Sequence, residues 1–204
     1  YTDVNGNPVV CSTDIGTGNK MLGSFCWEND PVDDFCPGHN DMFTTSQGIR
    51  LIAYHCRTNY FIEKKLSRSN NFHYLYLGQY DFNSDGWPVM NANRYAGEEL
   101  QDVTPDELLN ITAGKFEAVV FRQGVETLKA QRVVLRGDGT MDGAYRGSWK
   151  MYGARYISIE TQGDEFLGVV MPAWIEHQGA AGLSVTAMGR RSGMALIMNS
   201  TNLI

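Results

Sequence analysis

The stretch Cys36-Pro37-Gly38-His39-Asn40-Asp41 sets a single imidazole in a place that can aim it. Pro37 fixes one φ angle and Gly38 permits unusual ones, so the pair reads as a turn that directs the next side chain. A histidine presented this way can ligate a metal, shuttle a proton, or simply satisfy a turn. Cys36 and His39 have C-x-x-H spacing, which allows a zinc site completed by Cys26 or Cys56. Structural zinc sites generally use two close ligand pairs, however, and the four cysteines (Cys11, Cys26, Cys36, Cys56) form no C-x-x-C. Two disulfides in an oxidising compartment, or simply buried thiols, each account for them better than zinc does. Other groups invite chemistry less. His55 and Arg57 read as packing residues, and His73 and His177 have no partner that the sequence identifies. Asp33-Asp34, Asp81, Asp85, Glu98-Glu99 and Asp106-Glu107 read as turn or surface carboxylates. Trp87 and Trp149 sit in strand patterns and read as core; Trp27 and Trp174 are the candidates for exposed platforms.

The elements that must position these residues are almost all strands. Residues 42–57 read as two strands joined by a turn at Gln47-Gly48, which puts His39 at the mouth of a hairpin. Strands follow at 49–55 and 74–82, then a tight turn at Asp85-Gly86 before Trp87-Pro88-Val89. Thr104-Pro105-Asp106-Glu107 carries an N-cap, a proline at the first helical position and a capping-box glutamate, predicting a helix of a turn or two. From Gly114 onward short strands recur between glycines: 115–122, 128–135, 143–150, 156–161, 165–173, 182–188 and 193–198. Such a run without crossover helices predicts an antiparallel barrel or sandwich. The boundary between two units falls near residues 97–104. The first hundred residues hold about five strands and could hardly close a core alone, but they suit part of a propeller, whose blades stack on neighbours.

Composition agrees. Of the 204 residues, 22 are glycine and only 20 % are charged, as in a turn-rich β protein. The net charge of −6 argues against nucleic acid, which wants a basic patch. No window approaches the roughly 20 apolar residues that span a bilayer as a helix. The chain opens without Met or signal peptide, in what reads as a strand-turn-strand pattern, so an N-terminal portion is expected elsewhere.

Pro37-Gly38-His39-Asn40, the strand end Tyr54-His55-Cys56-Arg57, Asp85-Gly86-Trp87-Pro88-Val89 and Arg94-Tyr95-Ala96-Gly97-Glu98 together resemble the end of the propeller in family 43 glycoside hydrolases, above all the two-domain endo-α-1,5-L-arabinanases. Gly114-Lys115-Phe116-Glu117, Asp138-Gly139-Thr140, Gly147-Ser148-Trp149-Lys150, Gly168-Val169-Val170 and Ser192-Gly193-Met194-Ala195-Leu196 resemble their C-terminal β-barrel. Cys56 departs from the usual Thr, and 194–198 lacks the usual terminal Trp. The resemblance implies an all-β chain: residues 1–100 as the end of a five-bladed β-propeller, incomplete alone, and 101–204 as an accessory barrel. It implies that His39 lies on the propeller axis and helps to hold one hydrated calcium ion, though calcium ordinarily prefers several oxygen ligands. The family's catalytic aspartates and glutamate come from earlier blades, and no catalytic residue is assigned here.

The implied function is an inverting hydrolase of α-1,5-L-arabinan, secreted, periplasmic or on the cell surface. The partners expected are arabinan or arabino-oligosaccharides and an N-terminal segment or second chain that completes the propeller. A non-catalytic carbohydrate-binding module and a structural protein reusing the fold are the alternatives.

Overall fold

A computed structural model of the protein describes residues 2–10, 17–28, 34–58, 73–124 and 126–201. Its fourteen strands in those residues are β1 (Phe25–Cys26), β2 (Asp34–Thr44), β3 (Arg50–Thr58), β4 (Tyr74–Phe82), β5 (Pro88–Met90), β6 (Lys115–Val120), β7 (Leu128–Lys129), β8 (Gln131–Leu135), β9 (Thr140–Gly143), β10 (Gly147–Tyr152), β11 (Tyr156–Thr161), β12 (Asp164–Ile175), β13 (Ala180–Gly189) and β14 (Ala195–Ser200). Among the described residues one α-helix, α1 (Pro105–Thr112), lies between β5 and β6, and a single 3-10 turn, Glu176–Gln178, joins β12 to β13. The fold is all-β, as the sequence predicts.

Strands β2 to β5 form an antiparallel meander, extended by β1 and β7 into a six-stranded sheet of order β5-β4-β3-β2-β1-β7. The remaining strands close an eight-stranded antiparallel barrel of order β10-β11-β12-β13-β14-β6-β8-β9. Closure leaves no barrel edge unpaired. The turns are those that the glycines announce. In the β2–β3 turn, Gly48 (φ 83°) donates to the Thr45 carbonyl; between β4 and β5, Gly86 (φ 80°) donates to that of Asn83. The capping box of α1 is complete: Glu107 N–H donates to Thr104 Oγ1 (3.2 Å), and Thr104 N–H to the Glu107 carboxylate (2.7 Å). The bonds that the carboxylate accepts, from the Thr104 N–H and then its hydroxyl, hold the Glu107 carboxyl below its ordinary value.

Two expectations are corrected. Pro37-Gly38 is not a turn before a strand but lies inside β2. Opposite β3, that strand slips register twice, between Phe35 and Gly38 and between Gly38 and Asp41. Each slip fits one extra residue, and the positive φ angles fall on Cys36 (52°) and His39 (49°), not on Gly38. The expected strand 128–135 is also split, because Ala130 N–H leaves the barrel direction to donate to the Cys26 carbonyl. Its first part, β7, pairs parallel with β1; its second, β8, belongs to the barrel.

The barrel interior is filled by Phe116, Leu135, Ile157, Ile159, Val185, Leu196 and Met198, each 1 % exposed or less. Leu108 of α1 joins them. A second cluster lies outside the barrel, where Val119, Phe121 and Ile197 meet Phe25 and Trp27 of the sheet side. This explains the apolar run Ala195–Met198 that opens β14: both faces of the strand are buried. Each fully buried large side chain contributes roughly 1.5–3 kcal/mol. At the same junction Asn93 and Asn199 exchange two amide hydrogen bonds of 2.8 Å, satisfying both buried side chains.

Candidate functional site

The bulge at His39 places its exposed ring on the side of the sheet that carries His55 and His73. The His39 and His55 rings meet edge to face at 5.8 Å, and those of His55 and His73 at 4.4 Å. Arg57 Nε donates to His73 Nε2 (3.1 Å), so the proton of neutral His73 sits on Nδ1. Desolvation, then the charges of His73, His39 and Arg57, lower the His55 pKa below the ordinary histidine value. The sequence therefore misjudges two groups. His55 and Arg57 are not buried packing locks but half-exposed members of a basic row, and His73 has partners. The opposite face of the same strands, with Ile52, Tyr54, Cys56, Tyr76 and Tyr80, is the packed one. Strand pleating sends successive residues to opposite faces, which puts Tyr54 and Cys56 inside and His55 outside.

The ring that meets His39 is the His55 imidazole, which in turn meets His73. Among the described residues no three His, Cys, Asp or Glu side chains converge on a point that could hold a metal ion. That removes the zinc option based on Cys36 and His39 with Cys26 or Cys56 from the described residues; Cys36 is exposed, Cys26 half-buried and Cys56 buried, and Cys11 lies outside the described residues. A calcium ion here would fit only with His39 as one protein ligand and water oxygens in most other positions.

Three further residues differ from expectation. Asp81 is no surface carboxylate: it is 3 % exposed and lies between Arg50 and Arg155, bonding Arg155 at 3.1 Å. Trp27, offered as a platform, is 7 % exposed and stacks on His177 at 5.6 Å. His177, without a partner in the sequence, is buried against Glu117, with its Nε2 2.5 Å from Oε1. The other carboxylate oxygen of Glu117 accepts the Glu28 N–H (2.8 Å), tying strand β6 to the residue after Trp27. This pair spans 60 residues of sequence, and no local signal announces it. Trp149 is core, with its indole N–H donated to the Arg136 carbonyl. Trp174 remains exposed.

Residues 92–198 match the family described as GH43_C, a C-terminal lipocalin-like domain, which is the segment that ends in the closed barrel. The chain belongs to that family. It is also similar to the extracellular endo-α-(1→5)-L-arabinanase 2 of Bacillus subtilis (strain 168), 25 % identical over 193 residues, covering 85 % of this chain and 38 % of that protein. The extracellular endo-α-(1→5)-L-arabinanase of Thermotoga petrophila is 27 % identical over 172 residues, covering 77 % and 33 %. The chain thus spans between about a third and two fifths of the curated relatives it matches. Among solved structures, the family 43 glycoside hydrolase YxiA from Bacillus licheniformis superposes with a TM-score of 0.85 at 24 % identity, covering 100 % of this chain and 46 % of that one. The endo-1,5-α-L-arabinanase of Thermotoga petrophila RKU-1 superposes at 0.83 and 22 %, covering 99 % and 46 %. At these identities the two structures speak for the fold. The lipocalin-like family 43 domain and its preceding sheet are accordingly the C-terminal portion of a family 43 architecture.

Proposed function

We propose that this chain is the C-terminal portion of a secreted, periplasmic or cell-surface enzyme that cleaves α-1,5-L-arabinan. The observation that carries this reading is the ordered match to two proteins named extracellular endo-arabinanases, along 85 % and 77 % of the chain. Residues 1–100 would complete a propeller whose other blades come from an upstream segment or a second chain, and 101–204 would be the accessory barrel. The reaction would be a single displacement with inversion: one carboxylate activates water while a carboxylic acid protonates the leaving sugar oxygen. Both groups would lie upstream.

In this reading His39 is the one residue here that holds a hydrated calcium ion. The ion would supply positive charge that favours the ionised form of nearby carboxyls. The bulge supports this role by turning the His39 side chain out of the sheet where β2 leaves register. Arg57 beside His73 would discourage a second cation on the same row.

The test uses the protein with its upstream segment, on linear arabinan, with the anomer formed first read by proton NMR. Inverted product and release of oligosaccharides are expected; retained configuration overturns the single displacement, and no cleavage overturns the enzymatic reading. Binding without cleavage would favour the carbohydrate-binding module instead. Metal content measured on the same protein is expected to show about one calcium, lost in His39→Ala while the circular dichroism spectrum stays unchanged. Calcium retained in that variant would remove His39 from the site.

A further inference from the structure

Among the described residues, Trp174 is the one large apolar side chain on the barrel strands that stays exposed, at 43 %. It interrupts a strand that is otherwise largely buried. Its cross-strand partner on β13 is Ala181, whose methyl group cannot cover an indole. Isolated exposed apolar residues are ordinary and need no explanation. The surroundings of this one are less ordinary. Its backbone is pinned by a 2.6 Å hydrogen bond from the Trp174 N–H to Glu98 Oε1, and the other oxygen of Glu98 accepts the Ala96 N–H at 2.8 Å. Two residues further on, Glu176 pairs with Arg94, whose Nε donates to Oε2 at 2.7 Å. Both side chains of that pair are about half exposed, at 48 % and 54 %. Arg94 is itself held from below, with its guanidinium over the Tyr76 ring at 5.1 Å.

We propose that Trp174 with the Arg94–Glu176 pair is a sugar-binding platform on the barrel, resting on the arabinan reading above for the identity of the polysaccharide. A furanose ring has one face of C–H bonds and a rim of hydroxyls. The open indole offers a flat, polarisable surface to the first. The carboxylate accepts and the guanidinium donates hydrogen bonds to the second, in a planar arrangement already fixed before the sugar arrives. Preorganisation matters, because ordering loose side chains on binding would cost much of what a single stacked ring contributes. Trp27, the other tryptophan suggested by the sequence, has spent its ring on His177 and cannot serve.

The experiment compares the full-length protein with Trp174→Ala, Trp174→Phe and Glu176→Gln for retention on insoluble linear arabinan and for turnover of arabinotriose. Trp174→Ala is expected to weaken retention about five- to tenfold, the worth of one aromatic contact. Trp174→Phe should recover most of it, and Glu176→Gln should fall between. Arabinotriose turnover and thermal stability should stay at wild-type values. Retention unchanged in Trp174→Ala overturns the platform. Should that variant fail to fold, the Trp174 indole N–H resonance, assigned by Trp174→Phe, must shift when arabinohexaose is added to the wild type; a still resonance overturns the platform. Failure of the arabinan reading is visible separately, in a wild type that neither cleaves nor retains arabinan. In that event retention on xylan, galactan and cellulose is compared for the same variants. A loss on whichever polymer the wild type holds supports the platform, and a wild type held by none overturns it.

Discussion

At the scale of single residues, the molecule places charge where the sequence does not suggest it. Glu117 and His177 are each nearly fully buried, and they answer each other. A buried carboxylate accepting from His177 Nε2, Gln178 and the Glu28 N–H has its oxygens engaged, whereas among the described residues His177 Nδ1 has no hydrogen-bond partner. Removing the imidazole strands the carboxylate away from water. His177→Ala is therefore expected to destabilise the protein by about 3–5 kcal/mol, measured by denaturant unfolding with the full chain. A loss below about 1 kcal/mol would mean that water reaches Glu117 freely. Pairing of this kind is illegible in sequence, since nothing local distinguishes Glu117 from the surface glutamates. The same holds for the imidazole row. Pro37 and Gly38 advertise an aimed histidine, but its neighbours depend on where β2 slips against β3, and register across a bulge is a property of two strands at once.

At the scale of elements, alternation and glycine punctuation were enough to predict most strands, the turns at Gln47-Gly48 and Asp85-Gly86, and α1 with its capping box. Close packing explains Gly168 better than backbone freedom does. A Cβ on Gly168 would lie 2.1 Å from the Thr186 carbonyl oxygen and 2.5 Å from Ala187 Cβ. Gly168→Ala should push β12 from β13 and cost about 1–3 kcal/mol by overpacking, read as a lowered Tm. Asp164, at the start of β12, clamps the turn at 190–193. Burial alone would raise its carboxyl pKa, but hydrogen bonds from Ser192, Arg191 and the Glu165 N–H outweigh it and hold the value low. A lowered carboxyl stabilises above its unfolded pKa, and that contribution disappears as pH falls through the folded one. The Tm gap between wild type and Asp164→Asn should therefore be constant above about pH 5 and shrink below about pH 4. A gap independent of pH in that range would show that the charge is immaterial.

At the scale of the whole molecule, strand periodicity points to a barrel or a sandwich, and only the pairing of β14 with β6 decides for the barrel. Locally the two strands look alike in either. The division near residue 100 is likewise only part of the picture, because β7 crosses back to lie beside β1. Leu128 and Ala130 donate to the carbonyls of Ser24 and Cys26, and Lys20 exchanges backbone bonds with Gly193 and Ala195. A fragment of residues 101–204 would lay bare Val119, Phe121 and Ile197 and leave Glu117 without its Glu28 donor. It is expected to bind a hydrophobic dye and self-associate in size-exclusion chromatography, while the full chain does not; a monomeric, dye-silent fragment would refute this. The stitch at β7 also bears on inheritance and engineering. A barrel whose outer face is covered by residues a hundred positions upstream cannot be transplanted by cutting the chain at one point. Any graft onto another catalytic unit must bring residues 20–28 along as a second, separate insert, so the two halves are expected to change together rather than be exchanged as independent parts.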